Sequence, residues 1–161
     1  MSTMLSKRWK TVEGKVLSDP TTAIREALVG QRAVYVGTDS QQDGRRTQFV
    51  TVIVIHEPTK GGRAFYTVET VDRIKSLRER LLKEVWLSVQ LAIDISPYIN
   101  EESLLEVHVD ANPNVKFKSS AYVKELTSLV VSQGFNAVLK PEAWAAMHVA
   151  DHVVKSKVIG R

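Results

Sequence analysis

The chain has no cysteine in its 161 residues, which excludes disulfides and thiolate metal ligands. No apolar run approaches the roughly 20 residues of a membrane span, since even Phe49–Ile55 is broken by Thr51. Met1–Lys10 carries positive charge with no apolar stretch behind it, so a secretion signal is not expected and the cytoplasm is the expected compartment. Several catalytic templates are missing too. There is no Gly-x-Ser-x-Gly elbow, no Gly-x-Gly-x-x-Gly turn and no Gly-Lys-Ser/Thr phosphate loop; Gly61-Gly62 is a turn signal only. His148 and His152 have the helical spacing of two metal ligands but lack the glutamate of a His-Glu-x-x-His site, which argues against a zinc protease.

What remains is 43% hydrophobic and 25% charged, the mixture of a soluble globular domain large enough to bury its own core. The 22 Lys and Arg exceed the 18 Asp and Glu by a formal +4, a balance that permits a polyanionic partner without requiring one.

Asp19-Pro20 has the order of a helix N-cap and first turn, and predicts a short helix over Thr21–Val29 that Gly30 stops. Ser2–Ser18, before it, has no clean period and is expected to be an arm or short strand laid on the domain. Residues 1–32 thus form an N-terminal extension and residues 33–161 the main domain. Ala33–Ser40, Thr47–His56 and Arg63–Thr70 are strand-like, and the Asp-Gly and Gly-Gly turns between them predict an antiparallel meander. From Val71 to about Ile95 the period turns helical, with Ile74, Leu77, Leu81, Val85, Val89 and Ala92 on one face. Leu104–Asp110 alternates again. A helix capped by Ser119 or Ser120 is expected to run to Gln133, followed by a strand at Phe135–Leu139 and a last helix over Pro141–Lys157. The order βββαβαβα requires an α/β fold with a mixed five-stranded sheet, helices on its faces and a helical extension in front.

Four carboxylates hold informative places in that order. Asp39 ends the first strand and Asp110 the fourth; if these strands are parallel neighbours, both emerge at one sheet edge, where open α/β sheets bind ligands. Carboxylates so close repel, and a divalent cation relieves the repulsion. The plainer alternative is that each caps its own turn. On the long helix Glu84 lies roughly 80° from the centre of the apolar stripe and Glu79 about 140° away, so only Glu84 can lean over the sheet edge; otherwise it is a boundary residue paired with Arg80 or Lys83. Asp151 sits on the last helix with His148 one turn before it and His152 beside it; that group could hold metal, shuttle protons or form a surface pair.

The arrangement resembles the ribonuclease H-like superfamily of nucleases, resolvases and integrases. The strand order matches over about Ala33–Lys157, and carboxylates fall in Gly-Thr-Asp-Ser (Asp39), on the long helix (Glu84), in His-Val-Asp-Ala (Asp110) and in Val-Ala-Asp-His (Asp151). Tyr-Val-Gly-Thr-Asp-Ser-Gln, Leu-Leu-Lys-Glu and Leu-Lys-Pro-Glu-Ala-Trp-Ala-Ala look more closely like the YkuK-like group of small bacterial proteins in that superfamily. The resemblance implies a nuclease holding two Mg²⁺ or Mn²⁺ ions. Asp39 would bridge them, Glu84 and Asp110 would complete one shell and Asp151 the other, with His148 or His152 assisting proton or product transfer. It also implies a nucleic-acid partner held by its phosphate backbone, for which Lys116 and Lys118 after Asp110, and Arg45 and Arg46 in the first hairpin turn, are the best-placed cations. Further charges at Lys60, Arg63, Arg73, Lys75, Arg78, Arg80 and Lys83 are candidates of lower rank, those on the helix being equally suited to a solvated face. A non-catalytic binding domain on the same fold is the alternative. So is a homo-oligomeric scaffold that uses an exposed Trp9, Trp86 or Trp144, although Trp86 is first expected to fill core beneath the N-terminal arm.

Overall fold

In the computed structural model, which describes residues 4–143, the first element is a three-residue strand, β1 (Trp9–Thr11). Trp9 anchors it. The indole is fully buried, and its Nε1 donates to the Met4 carbonyl at 2.9 Å, so the ring's one polar group is satisfied inside the core. Trp9 is therefore no exposed oligomer contact. Helix α1 (Pro20–Ala27) follows, its N-terminus held by the Asp19 carboxylate accepting from the Thr22 amide at 3.1 Å.

Strands β2 (Ala33–Asp43), β3 (Arg46–Glu57) and β4 (Gly61–Asp72) form the expected antiparallel meander, each longer than the apolar pattern indicated. The β2–β3 turn closes on Gly44-Arg45, where Gly44 supplies the φ of +60° that a two-residue hairpin demands. After α2 (Leu77–Ile95), β5 (Leu104–Val109) lies parallel to β2. Helix α3 (Val123–Ser132) and β6 (Asn136–Leu139) complete the described elements, with β6 parallel to β5.

The described strands make one six-stranded sheet in the order β1-β4-β3-β2-β5-β6. The sixth strand is β1, which pairs antiparallel with β4 and turns the expected arm into a sheet edge. Its side chains do not lie apart from the rest. Met4, Leu5, Trp9, Ile24 and Leu28 share one buried core with Val34, Val36, Phe49 and Ile53 of the sheet and with Leu81, Val85, Val89 and Ala92 of α2. Ile24→Val, which removes one methyl from that shared core, will lower the unfolding free energy by about 1 kcal/mol in a denaturant titration and leave a single transition.

Three expectations about boundaries need correction. The long helix starts at Leu77, not near Val71. Arg73–Ser76 is instead pinned to the hairpin: the Arg73 amide donates to the Arg45 carbonyl at 2.9 Å, the Ile74 amide to Thr47 Oγ1 at 2.9 Å, and Gln42 Nε2 to the Ile74 carbonyl at 2.6 Å. Ile74 packs on the core from this connector, and its three-residue spacing to Leu77 imitates a helical period. Ser119 does not cap α3. Its Oγ accepts from the Asn112 amide at 3.0 Å, and a 3-10 turn over Lys118–Tyr122 leads into the helix. Trp86 fills no core: it stands on the outer side of α2, 45% exposed. The proposed last helix lies outside the described residues from 144 onward, with Trp144 among them. Among the described residues no helix is long and apolar enough to cross a membrane.

Candidate metal centre

Register places the first two carboxylates. In the parallel β2–β5 ladder Val36 stands beside Val107 and Gly37 beside His108; two residues further on, Asp39 and Asp110 fall side by side on one face of the sheet, because strand side chains alternate with period two. β5 ends at Val109, so Asp110 sits at its mouth. β2 does not end at Asp39, as its sequence suggested, but continues to Asp43 paired with β3, so Asp39 is held mid-strand opposite Val50.

The third carboxylate comes from the helix on the other face. Thr38 and Ser40 point towards α2: Thr38 shares a 2.7 Å hydrogen bond with Ser88, and the Ser40 hydroxyl donates to Glu84 Oε2 at 2.5 Å. With β5 ended, Glu84 can reach past the strand terminus. Asp39, Glu84 and Asp110 then offer carboxylate oxygens that all lie within 4.8 Å of one another. Glu84 is only 4% exposed. It is no boundary residue paired with Lys83, whose ammonium turns instead to Glu69 at 2.6 Å. Glu79, as expected, is exposed, and its amide donates to the capping Ser76 Oγ at 3.2 Å.

Burial and crowding together raise the proton affinity of Asp39 and Glu84. Burial, then the Asp110 charge and a hydrogen bond with the Asp110 carboxyl, push Asp39 up from 3.8 to about 7, against the opposing Ser40 amide and Lys140. Burial first, then Asp110 and Asp39, hold Glu84 well above the usual carboxylate range in spite of the Ser40 hydroxyl and Arg80. Besides Arg80, which acts on Glu84, the described counter-charge at the cluster is Lys140, whose Nζ lies 2.5 Å from Asp110 Oδ1. Burial works against its ammonium, but Asp110, Asp39 and Glu84 outweigh that and raise it above its ordinary value.

The residues present fit a hard divalent cation. Every converging donor is a carboxylate oxygen, the set Mg²⁺ and Mn²⁺ favour. Glu84 Oε1 is buried without a hydrogen-bond partner, a costly state for a carboxylate that an ion at the cluster would relieve.

The Ribonuclease H-like family profile matches residues 15–155. The chain belongs to the ribonuclease H-like family. Uncharacterized protein YkuK of Bacillus subtilis (strain 168) is 32% identical over 135 residues, covering 74% of this chain and 77% of that one. Among solved structures, RNase H1 from the halophilic archaeon Halobacterium salinarum NRC-1 matches 79% of this chain and 99% of its own, at 13% identity and a TM-score of 0.40.

Within this ribonuclease H-like domain the other expected site residues divide. Asp151, His148 and His152 lie outside the described residues. Arg45 and Arg46 are exposed at the β2–β3 turn, and Lys116 and Lys118 are exposed in the loop after Asp110. That loop is built by its own polar groups: Asn112 Oδ1 accepts from the Asn114 amide and Asn114 Oδ1 from the Lys116 amide. His108, beside the centre in sequence, is buried, stacked 5.0 Å from Tyr35, with Nε2 3.3 Å from Glu106 Oε1; burial lowers its pKa although Glu106 works against that. Two residues of the site went unread in the sequence, Ser40 and Lys140. Ser40 follows Asp39 directly, and alternation alone would have turned it towards the helix side. Lys140 lies in Leu-Lys-Pro-Glu, but nothing local pairs it with Asp110.

Proposed function

We propose that the protein is a divalent-metal-dependent nuclease that hydrolyses phosphodiester bonds of RNA, RNA–DNA hybrid or structured DNA. The observation that carries this reading is the convergence of Asp39, Glu84 and Asp110 around a buried, unpartnered Glu84 oxygen in a ribonuclease H-like domain. Asp39 from within β2 and Asp110 from the end of β5 would hold the ions, and Glu84 would complete the shell from α2, fixed in orientation by the Ser40 hydroxyl. Asp151 is proposed as the fourth ligand and His148 or His152 as an aid to proton transfer or product release. Bound Mg²⁺ or Mn²⁺ supplies the activation of water and the stabilisation of the leaving oxygen. Exposed Lys116 and Lys118, six and eight residues after Asp110, neutralise the phosphates of the bound strand, with Arg45 and Arg46 available further out.

Calorimetric titration with Mn²⁺ tests the centre. Binding is expected for the unaltered chain and loss of binding for the Asp39→Asn, Asp110→Asn double variant. An unaltered chain that takes up no ion, yet retains nucleic acid, would be the non-catalytic binding domain instead.

A further inference from the structure

We infer that the Lys140 ammonium is a tethered counter-ion of the Asp39–Glu84–Asp110 cluster, which a divalent cation displaces when it binds; the inference rests on the metal-centre reading above. Register brings the lysine there. In the parallel β5–β6 ladder Glu106 stands beside Asn136, His108 beside Val138 and Val109 beside Leu139. One residue further, Lys140 falls beside Asp110, as Asp110 falls beside Asp39, so the three make a row across β2, β5 and β6 on a single face. The backbone is fixed at that place, since the Lys140 amide donates to the Ala111 carbonyl at 3.1 Å. At the end of this anchored stem Nζ lies 2.5 Å from Asp110 Oδ1.

The pair is not an ordinary surface salt bridge. The Asp110 side chain is 20% exposed and belongs to three carboxylates within 4.8 Å, which cannot all be charged without a cation nearby. Lysine provides one positive charge and leaves the cluster incompletely served, because Glu84 Oε1 keeps no partner. A divalent ion provides twice the charge and coordinates several oxygens together. A divalent ion that takes Asp110 competes with the ammonium for the same carboxylate, and repulsion between the two favours release of the singly charged, flexibly tethered one. Lysine also suits a contact that must let go: its head is a compact charge on a flexible four-carbon stem, where arginine would hold Asp110 by a planar fork. Once released, the ammonium remains tethered beside the centre by its anchored backbone.

Mn²⁺ affinity, measured by calorimetry on the full chain, tests this without reference to cleavage. Lys140→Met is expected to bind Mn²⁺ roughly tenfold more tightly, because the competitor is gone. Lys140→Arg, which keeps the charge, is expected to retain the weaker affinity or weaken it further. A purely structural lysine would predict the opposite for Lys140→Met, equal or poorer binding. Amine labelling of the unaltered chain, followed by peptide mapping, tests the same point with no substitution: acylation of Lys140 will speed up severalfold when Mg²⁺ replaces EDTA. If the unaltered chain binds Mn²⁺ while Lys140→Met binds it no better and Lys140 labelling is unmoved, the counter-ion role is wrong and the metal centre stands. If neither chain binds Mn²⁺, the metal centre itself is wrong and the inference goes with it.

Discussion

Asp39→Asn and Asp110→Asn will each reduce Mg²⁺-dependent cleavage by about a thousandfold or more, while the folded protein in EDTA at pH 8 becomes more stable. The first half follows from position. Both side chains lie in the three-carboxylate cluster, and ligands acting as one unit are lost non-additively, so the double variant should be little worse than either single one. A thousandfold is about 4 kcal/mol of transition-state stabilisation, within the reach of metal-assisted phosphoryl chemistry. The second half follows from repulsion. In the absence of an ion, burial and then the neighbouring Asp110 charge push Asp39 up to about 7, and an isosteric amide removes a buried charge that its neighbours repel. The two readouts moving in opposite directions separate lost chemistry from lost folding. Glu79→Gln, on the exposed side of the same helix, should leave both unchanged. Cleavage that survives in Asp39→Asn would end the nuclease proposal.

The parts of the fold legible in the sequence were those governed by local period. Alternation and turn chemistry located β2 to β5, and the three- and four-residue spacing of Leu77, Leu81, Val85 and Val89 located the buried face of α2. What was not legible depends on partners distant in sequence. Strand β1 is three residues long, too short to show a period, and exists because Trp9 is buried and β4 has an open edge. Ile74 looked helical because a connector pinned by Thr47 and Gln42 can present an apolar side chain as well as a helix can. The helical wheel put Glu84 at the border of the apolar stripe; its burial comes with what it meets across the sheet, the Ser40 hydroxyl and the two aspartates. Asp39 and Asp110 were placed by topology alone, since parallel neighbours with matched register must bring them together. Lys140 obeys the same rule one strand over, but reading it required knowing that β6 pairs with β5 from Glu106 to Val109.

Stability without divalent ions should fall as pH rises from about 5 to 8. The sign comes from proton linkage. Asp39 ionises near 7 when folded and near 3.9 when unfolded. Between those values the folded chain binds more protons, so the unfolding free energy declines with pH. Glu84, buried and also raised well above its ordinary value, adds in the same direction. Raising Asp39 from 3.8 to about 7 corresponds to at most about 4 kcal/mol. Below about pH 4, where Asp39 is protonated in both states, the trend reverses. At Glu69, burial would raise the carboxyl, but Lys7 and Lys83 hold it below its ordinary value, and that contribution disappears as acid protonates it. Melting in EDTA should therefore peak near about pH 4. Saturating Mg²⁺ favours the ionised cluster and should cancel the decline above it, adding stabilisation that grows with the ratio of ion concentration to dissociation constant. The difference between the Mg²⁺ and EDTA melting temperatures is thus expected to be small at pH 5 and largest at pH 8, and to collapse in Asp39→Asn. A melting temperature in EDTA that holds level or climbs between pH 5 and 8 would mean that the three carboxylates do not share the strain their spacing requires, and that their proximity is no preparation for a cation.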